Sequence, residues 1–343
     1  MERRHFRLGF AGFGNVGRAL ARLLIARRDE LRLRCGLTFD VTLLASARRG
    51  ARVEPEGIDL ETALRDGWSS ATRLPDVLGT APIDLLFEAT PLEPRTGEPA
   101  LSHVRAALGR GVSVVSANKG PIALAARELF GLARRTGAGF RFESAVADCL
   151  PVFNLAEAAL PVGRLLRLRG VLNSTSNHVL QAVASGRPAE AAIKEMQKLG
   201  IAEADPSHDL DGWDQAVKAV ILANVLMGRD LRPADVERTP VAAVDPGWLQ
   251  SEERAGRTVR LVADVGSEGP ARVRPVALVP REFLASLRGL SLGLTIESEL
   301  AGTINVSIVE PHVEQTAYGM LADLVSIGQG RLMIPTPLLE DPR

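Results

Sequence analysis

The sequence predicts an α/β fold: a doubly wound parallel sheet in the first part of the chain, followed by a second domain that combines a sheet with helices. A length of 343 residues exceeds what one hydrophobic core usually covers, so two domains are expected. A glycine cluster stands between an apolar run and a helical pattern near the N-terminus, and short apolar runs alternate with helical patterns up to residue 150. We therefore expect domains over residues 1–150 and 151–310.

The first domain is predicted to alternate strands with helices. Phe6–Ala11 is a short apolar run, and Arg18–Ala26 has apolar residues at helical spacing. Further strands are predicted at Phe39–Ala45, Asp84–Glu88, Val112–Val115 and Phe140–Glu143. Strands that alternate with helices favour a parallel sheet.

The second half has a different pattern. The predicted strands are Arg167–Leu172, Thr258–Val265, Val273–Val279 and Ile304–Val309, and the predicted helices are Pro188–Leu199 and Trp213–Met227. This pattern predicts an α+β domain, a sheet with helices on one face. A last helical pattern, Thr316–Val325 within residues 311–343, is expected by analogy more than from its spacing to pack back on the first domain.

The composition indicates a soluble globular protein, and a reducing cytoplasm fits it best. Positive and negative side chains balance at 41 each, so no global field favours nucleic acid or an anionic membrane as a partner. No apolar run approaches the roughly 18 residues of a membrane span. Cys35 and Cys149 form no disulfide or metal-ligand pattern, and the basic N-terminus passes into the glycine cluster without a signal segment.

The glycine cluster has the sequence Gly12-Phe13-Gly14-Asn15-Val16-Gly17, in the strand-to-helix context of a dinucleotide-binding loop. The first glycine permits the tight turn, the second lets backbone N–H groups approach a pyrophosphate, and the third allows the helix to pack on the strand. The helix N-terminus adds partial positive charge, and Gly12, Gly14, Asn15, Val16 and Gly17 are the expected coenzyme contacts of the loop. The motif predicts a Rossmann-type domain that binds NAD(H) or NADP(H).

The end of the second strand favours NADP(H), with NAD(H) as the alternative. Enzymes that prefer NAD usually place an acidic side chain there to bind the ribose 2′-hydroxyl. This chain instead has Leu44–Gly50, in which a small residue precedes Arg48 and Arg49. Guanidinium groups pair well with a phosphate, although a solvated loop could carry the same two residues without any ligand.

Two sequence blocks resemble the homoserine dehydrogenase family. The first comprises Ala89–Pro91, Thr96–Ala100 and Val114–Pro121, and the second is Leu199–Asp214 with Lys218 four residues on. The resemblance implies an NAD(P)-dependent dehydrogenase that interconverts aspartate semialdehyde and homoserine for threonine and methionine biosynthesis. It also implies a homodimer without a regulatory domain, in which residues 151–310 bind substrate and form the dimer.

The resemblance also implies roles for particular residues. Coenzyme contacts fall on Thr90, Pro91 and Asn118, and a monovalent cation is expected at Glu143 and Val146. Substrate contacts follow in the second domain, at Ser174, Thr175, Glu203 and Asp209. Several carboxylates beside a lysine suit a substrate ammonium group, and Glu203 is the expected contact to it.

Lys119, Asp214 and Lys218 are the candidates for the chemistry. Lys119 follows an apolar strand, at the edge where open α/β sheets bind ligands, and the family places a catalytic or substrate-orienting lysine there. Asp214 and Lys218 lie four apart on one helical face and can form an ion pair, with Lys218 on an otherwise apolar stripe. A purely structural pair is the alternative, and the sequence does not decide which lysine moves a proton.

Two glycine-rich turns of the family are replaced in this chain. Ala147, Asp148 and Cys149 stand at the first turn and are expected to restrict positive φ angles. Glu310, His312 and Glu314 stand in the segment of the second, where their charges would be unhelpful beside a pyrophosphate.

The substrate loops also differ from the family pattern. Ser174 replaces a glycine, and Ile201 replaces an aromatic residue. We therefore expect homoserine to be a poorer substrate here than for relatives with the usual loops. The alternatives are a dehydrogenase for a related hydroxy or amino compound, and a dinucleotide-binding sensor without turnover.

Overall fold

The structure is a computed structural model that describes residues 4–339, and it divides into two compact units. The first unit holds the chain up to Glu157 together with His312–Pro335, and the second holds Ala158–Pro311 and a short segment from Thr336. The division falls inside the helix Val152–Ala159, whereas the sequence pattern predicts it after residue 150. No helix within residues 4–339 is long and apolar enough to cross a membrane.

The first unit is built on a six-stranded sheet with the order β3-β2-β1-β4-β5-β6. Its strands are β1 Arg4–Ala11, β2 Leu37–Ser46, β3 Gly50–Val53, β4 Leu85–Glu88, β5 Ser113–Ser116 and β6 Phe140–Arg141. Its helices are α1 Asn15–Ala26, α2 Arg28–Cys35, α3 Leu60–Arg65, α4 Leu74–Leu78, α5 Ala100–Gly109, α6 Lys119–Thr136, α7 Ser144–Ala147 and α8 Val152–Ala159. The Rossmann-type α/β fold predicted from the sequence is confirmed.

The edge strand β3 departs from the predicted parallel arrangement. It pairs antiparallel with β2, whereas the other neighbouring strands of this sheet are parallel. The cause is the connection: a turn over residues 47–49 joins β2 to β3, and so short a link can only reverse the chain. The two predicted coenzyme arginines, Arg48 and Arg49, therefore lie in a hairpin turn.

The strand order brings the predicted coenzyme residues to one edge of the sheet. Strand β1 lies between β2 and β4, so the chain builds the sheet outward from β1 first on one side and then on the other. At such a switch point a crevice opens at the carboxyl ends of the strands. Gly12 follows β1, Thr90 follows β4, and Asn118 follows β5. Strands β4 and β5 are buried along their whole length, which fixes these three positions on a rigid frame.

The second unit contains a six-stranded sheet with the order β12-β11-β7-β9-β10-β8, antiparallel except for the β10–β8 pair. Its strands are β7 Leu165–Val171, β8 Glu237–Arg238, β9 Thr258–Gly266, β10 Arg272–Leu278, β11 Leu292–Ser298 and β12 Gly302–Ile308. Its helices are α9 Ser174–Ala184, α10 Ala189–Lys198, α11 Ser207–Leu210, α12 Trp213–Met227, α13 Pro246–Arg254 and α14 Phe283–Ser286. Strand β11 was not predicted, because Gly293 interrupts its apolar alternation.

The last helix, α15 Val313–Gly328, belongs to the first unit. Its apolar face packs against α1 and shares the hydrophobic core of that unit. The residues of α15 in this core are Ala317, Met320, Leu321, Leu324 and Ile327. A segment distant in sequence thus completes the packing around the dinucleotide fold.

Arg141 ties α15 to the sheet and is completely buried. Its guanidinium donates to Asp323 at 3.1 Å, to Glu157 at 2.7 Å, to the Asn154 side chain at 2.9 Å and to the Arg331 carbonyl at 3.1 Å. Burial raises the pKa of Asp323 to about 6, even though Arg141 favours its charged form. Because a buried guanidinium with four acceptors has no access to water, its loss would leave carboxylates unpaired in the core.

We predict that Arg141→Met lowers the free energy of unfolding by about 3–5 kcal/mol, because removing one partner strands buried charge. Urea unfolding followed by circular dichroism measures it. Arg105→Met is the matched control: Arg105 makes a two-pronged pair with Glu128 at 2.7 and 2.8 Å, but on the surface. Its loss is expected to cost about 1 kcal/mol or less. Equal effects of the two substitutions would contradict the prediction.

Candidate active site

The glycine loop has the geometry that a dinucleotide pyrophosphate requires. Gly12 has φ +99°, and a Cβ there would lie 2.5 Å from the Ala89 carbonyl oxygen. A Cβ on Gly17 would overlap the Gly12 carbonyl oxygen, so only glycine lets α1 start so close to β1. Gly14, by contrast, faces open space, since a Cβ there would meet no heavy atom within 4 Å beyond the adjacent residues. The loop therefore leaves room for a phosphate at the N-terminus of α1.

Asn118 joins the ends of two neighbouring strands. Its side chain accepts the Gly120 N–H at 2.9 Å, which caps α6, and donates to the carbonyls of Thr90 at 3.0 Å and Pro91 at 3.2 Å. Lys119 is the first residue of α6 and is half-buried. The structure thus brings the predicted residues Thr90, Pro91, Asn118 and Lys119 together at one edge of the sheet.

The hairpin turn after β2 presents two exposed arginines, Arg48 and Arg49. The guanidinium of Arg49 lies 5.7 Å from the centre of the Trp68 ring, and the Trp68 indole N–H donates to the Gly50 carbonyl at 3.3 Å. A cation–π contact of this kind holds the Arg49 guanidinium beside the Trp68 ring. The Arg48 backbone N–H donates to the Ser46 hydroxyl, which fixes the start of the turn.

The second unit assembles a cluster of two carboxylates, an amide and a lysine. The Asn173 amide donates to Asp209 at 2.7 Å and to Asp214 at 2.9 Å. The Lys218 ammonium lies 2.8 Å from Asp214 and also donates to the Leu172 carbonyl. We call Asn173, Asp209, Asp214 and Lys218 the acid–lysine cluster. The ion pair predicted from the four-residue spacing is present.

The two carboxylates of the cluster repel each other in a poorly solvated place. Burial and the nearby Asp214 raise the pKa of Asp209, while hydrogen bonds from Asn173 and Thr175 and the charge of Lys218 act in the opposite direction. Lys218 itself is 9% exposed. With one lysine for two carboxylates, the cluster is suited to receive a further cation such as a substrate ammonium group.

Two predicted substrate residues have other surroundings. Glu203 is exposed, and within residues 4–339 the structure does not bring its side chain into the acid–lysine cluster; the Gln197 amide donates to its backbone carbonyl at 3.1 Å. The Ser174 hydroxyl donates to the Leu290 carbonyl at 2.7 Å. The hydroxyl that replaces the family's glycine hydrogen is therefore engaged with the protein itself.

The carboxylate of Glu143 does not suit a cation ligand. Its two oxygens accept the backbone N–H groups of Phe153 at 2.9 Å and Asn154 at 2.8 Å, as well as the Asn154 side chain. Burial and the neighbouring Asp323 raise the pKa of Glu143 to about 7. A cation held by Glu143 and Val146 would have to use main-chain oxygens, and that expectation stays a prediction.

The turn at Asp148 corrects one expectation. From the sequence we expected the side chains of Ala147, Asp148 and Cys149 to restrict positive φ angles. Asp148 nevertheless has φ 54° and ψ −119°. This conformation is one that glycine adopts far more readily than aspartate. The Asp148 carboxylate accepts the Thr316 hydroxyl at 2.5 Å, so a side-chain contact holds the turn that glycine would otherwise form freely.

The second altered turn behaves similarly. Glu310 also has a positive φ, 44°. His312 is the N-cap residue of α15, its backbone N–H donates to Gln315 at 2.9 Å, and Glu314 lies in the first turn of that helix. An acidic side chain in a first turn stabilises a helix, which gives Glu314 a structural reason independent of any coenzyme.

Two residues that organise these sites are not among the site residues predicted from the sequence. Asn173 belongs to a loop in the sequence pattern, yet it bridges both carboxylates and caps α9 by accepting the Ser176 N–H at 2.9 Å. An asparagine between a strand and a helix is an N-cap signal. Glu88 is fully buried, pairs with His103 at 2.9 Å and accepts the Thr90 N–H at 2.8 Å. Nothing in the sequence spacing indicates that pair.

The dinucleotide loop of the first unit and the acid–lysine cluster of the second are features of an NAD(P)-dependent oxidoreductase. Sequence profiles narrow this class. The profile of the homoserine dehydrogenase NAD-binding domain matches residues 12–143, and that of homoserine dehydrogenase matches residues 151–325. The chain belongs to the homoserine dehydrogenase family.

The chain matches the following three relatives over nearly their whole length. An NAD(+)-dependent homoserine dehydrogenase of Pseudomonas canavaninivorans is 35% identical to this chain, and the match covers 94% of this chain and 96% of the relative. A homoserine dehydrogenase of Methanocaldococcus jannaschii is 32% identical, and the match covers 92% of this chain and 96% of that relative. A hyperthermophilic archaeal homoserine dehydrogenase solved with NADPH has a TM-score of 0.82 at 27% identity, covering 97% of this chain and 99% of its own.

We predict that Asp148→Gly is more stable than Asp148→Ala by about 1–2 kcal/mol in urea unfolding. Both lose the bond to Thr316, but only glycine relieves the positive φ. Ala147→Gly is the matched control, because residue 147 has ordinary helical geometry and glycine there should lower stability by about 1 kcal/mol. An alanine variant as stable as the glycine variant at position 148 would show that the turn carries no strain.

Proposed function

We propose that the protein interconverts L-aspartate 4-semialdehyde and L-homoserine, in threonine and methionine biosynthesis, and that it uses NADP(H) in preference to NAD(H). The observation that carries the proposal is the acid–lysine cluster, in which Asn173 holds two carboxylates beside Lys218. Family membership supports the reaction class, since the relatives named above are homoserine dehydrogenases.

The cluster supplies recognition of the amino group. Asp209 and Asp214 give two negative charges against one lysine, and burial makes their repulsion costly. A substrate ammonium group beside Asp209 would restore the charge balance that Lys218 alone cannot provide. Glu203 is exposed and stays a candidate contact only through the family resemblance.

The chemical step needs a hydride and a proton. When bound, the nicotinamide supplies the hydride to the aldehyde carbon of the substrate. The proton passes to the aldehyde oxygen from a lysine ammonium, either at Lys218, which Asp214 and the Leu172 carbonyl orient, or at Lys119 at the start of α6. In the oxidising direction the same lysine, neutral, would take the proton from the homoserine hydroxyl.

The changed loops bear on how well homoserine is used. Asp148 and Glu310 keep positive φ angles, as glycines would. The Ser174 hydroxyl is hydrogen-bonded to the Leu290 carbonyl. Both observations speak against an obstruction of the family's ligands by these loops. Ile201 is half-buried where the family has an aromatic residue. A poorer turnover of homoserine stays a prediction, with a related hydroxy or amino compound as the alternative substrate.

A homodimer and a cytoplasmic location belong to the same proposal. The family resemblance supports the homodimer, and sedimentation equilibrium tests it. Cys35 and Cys149 are both free thiols, which suits a reducing compartment. Small-molecule substrate and coenzyme are the proposed ligands.

The coenzyme preference rests on the β2–β3 hairpin. Its turn offers Arg48 and Arg49 and no carboxylate to bind a ribose 2′-hydroxyl or repel a 2′-phosphate. The archaeal neighbour solved with NADPH supports NADP(H), whereas the Pseudomonas relative is NAD(+)-dependent. Because the two relatives differ, the proposed preference for NADP(H) rests on Arg48 and Arg49.

We predict that Arg48→Ala combined with Arg49→Ala lowers the ratio of NADPH to NADH affinity at least about tenfold, which corresponds to about 1.4 kcal/mol. Charge-assisted bonds to the 2′-phosphate would be lost while NADH binding stays. Fluorescence titration with both coenzymes measures the ratio. Arg52→Ala, on the same hairpin but paired with Glu54, is the control. An unchanged ratio in the double variant would mean that both arginines are simply solvated.

We predict that the purified protein oxidises homoserine with NADP at a kcat/KM below about 10⁴ M⁻¹ s⁻¹.

We predict that the Lys218→Met variant has a kcat about a hundredfold or more below that of the parent protein. The variant should bind NADPH as the parent does, because the predicted coenzyme residues lie in the other unit. Steady-state kinetics and coenzyme titration are the measurements.

Lys194→Met, on the exposed side of α10, is the matched control and should keep full turnover. Retained turnover in the Lys218 variant would make the pair structural and move the proton donor to Lys119. Coenzyme binding without any homoserine turnover would contradict the proposed substrate, and a panel of related hydroxy and amino acids would then be assayed.

A further inference from the structure

A basic cavity lies in the second unit, beside but apart from the acid–lysine cluster. It has a volume of about 450 Å³, and His178 and Gln181 on α9, with Ser185 directly after that helix, form part of its lining. Arg187, Arg260 and Arg288 also line it, against a single carboxylate from Glu253. None of the four residues of the acid–lysine cluster is among the residues that line it.

Arg260 is the unusual member of this lining. It lies on β9 and is 1% exposed. One amino group of its guanidinium donates to the Leu287 carbonyl, while its Nε–H has no hydrogen-bond partner among the described residues. Burial and the charge of Arg288 lower the pKa of Arg260 to about 10, so it is still charged at neutral pH.

The other charges near the cavity do not neutralise Arg260. Glu253 is exposed. It favours the charged form of Arg260, but its effect on the pKa of Arg260 is smaller than those of burial and of Arg288. Arg187 is paired with Glu195, and Arg288 donates to the Ala285 carbonyl at 2.7 Å. A buried guanidinium with an unused N–H and a second guanidinium nearby is unfavourable unless an anion completes it.

We propose that this cavity binds a small anion bearing a phosphate or carboxylate group, with Arg260 as its buried anchor. A guanidinium fork matches the oxygens of either group, and the cavity that Arg260 lines is large enough for a small metabolite. Gln181 and Thr258 line the same space and can donate further hydrogen bonds, whereas the Ser185 hydroxyl already donates to the Ala182 carbonyl at 2.9 Å. This site is independent of the proposed dehydrogenase reaction.

The test measures the unfolding midpoint of the full chain in chloride, and in phosphate or succinate at matched ionic strength. A saturable rise of about 3 °C or more with one of these anions is expected. Phosphate acting alone identifies a phosphate ligand, and succinate acting alone identifies a carboxylate. The rise should persist in the Arg48→Ala, Arg49→Ala variant, which excludes the two arginines of the β2–β3 hairpin as its origin.

Arg260→Met is expected to abolish the anion effect and to be as stable as the parent, or more stable, in chloride, because an uncompensated buried charge is removed. Arg260→Lys keeps the charge without the fork and should weaken the effect without abolishing it. Arg274→Met, an exposed arginine of the same unit, is the control.

Three results would overturn the proposal. One is an anion effect that persists in Arg260→Met. Another is the absence of any anion effect in the parent protein. The third is a methionine variant that loses stability in chloride, or that changes its mass in sedimentation equilibrium, since Arg260 would then serve the fold or a contact with a second copy.

Discussion

The repulsion between Asp209 and Asp214 is the constraint around which the second unit is organised. The two carboxylates share the Asn173 amide, and that amide can bridge them only because it follows strand β7 and caps helix α9. Lys218 offsets one of the two charges, one turn further along α12. Loop, helix start and ion pair are therefore coupled: moving any of them would leave a carboxylate without its partner.

The same coupling explains why the sequence identified the cluster only in part. The spacing of Asp214 and Lys218 predicts their ion pair, because a helix places residues four apart side by side. Asp209 and Asn173 are separated by 36 residues, and only the packing of α9 beside α11 brings them together. Glu203 illustrates the converse, since a carboxylate near others in sequence lies exposed outside the cluster.

The fold was predictable to a similar extent. The helix Trp213–Met227 has the bounds that its apolar pattern indicated, and the glycine loop has the turn that its spacing requires. The antiparallel strand β3 was not foreseen, because the pattern gave no sign that residues 47–49 form a reversing turn. The Arg141–Asp323 pair joins residues 182 apart, a separation over which local patterns carry no information. Positive φ at Asp148 and Glu310 shows a further limit: a turn can keep its shape after its glycine is gone, provided that other contacts hold it.

Two buried arginines illustrate how the partners of a buried charge distinguish a structural role from a binding role. Arg141 and Arg260 are both almost inaccessible, so each must find its compensation inside the protein or in a ligand. Arg141 has Asp323 and Glu157 within salt-bridge distance, and its pKa is raised accordingly by those carboxylates. Arg260 has a carbonyl oxygen and a neighbouring arginine instead, and its pKa is lowered. The first environment is complete within the chain, whereas the second becomes favourable when an anion enters, and the cavity beside Arg260 provides the space for one.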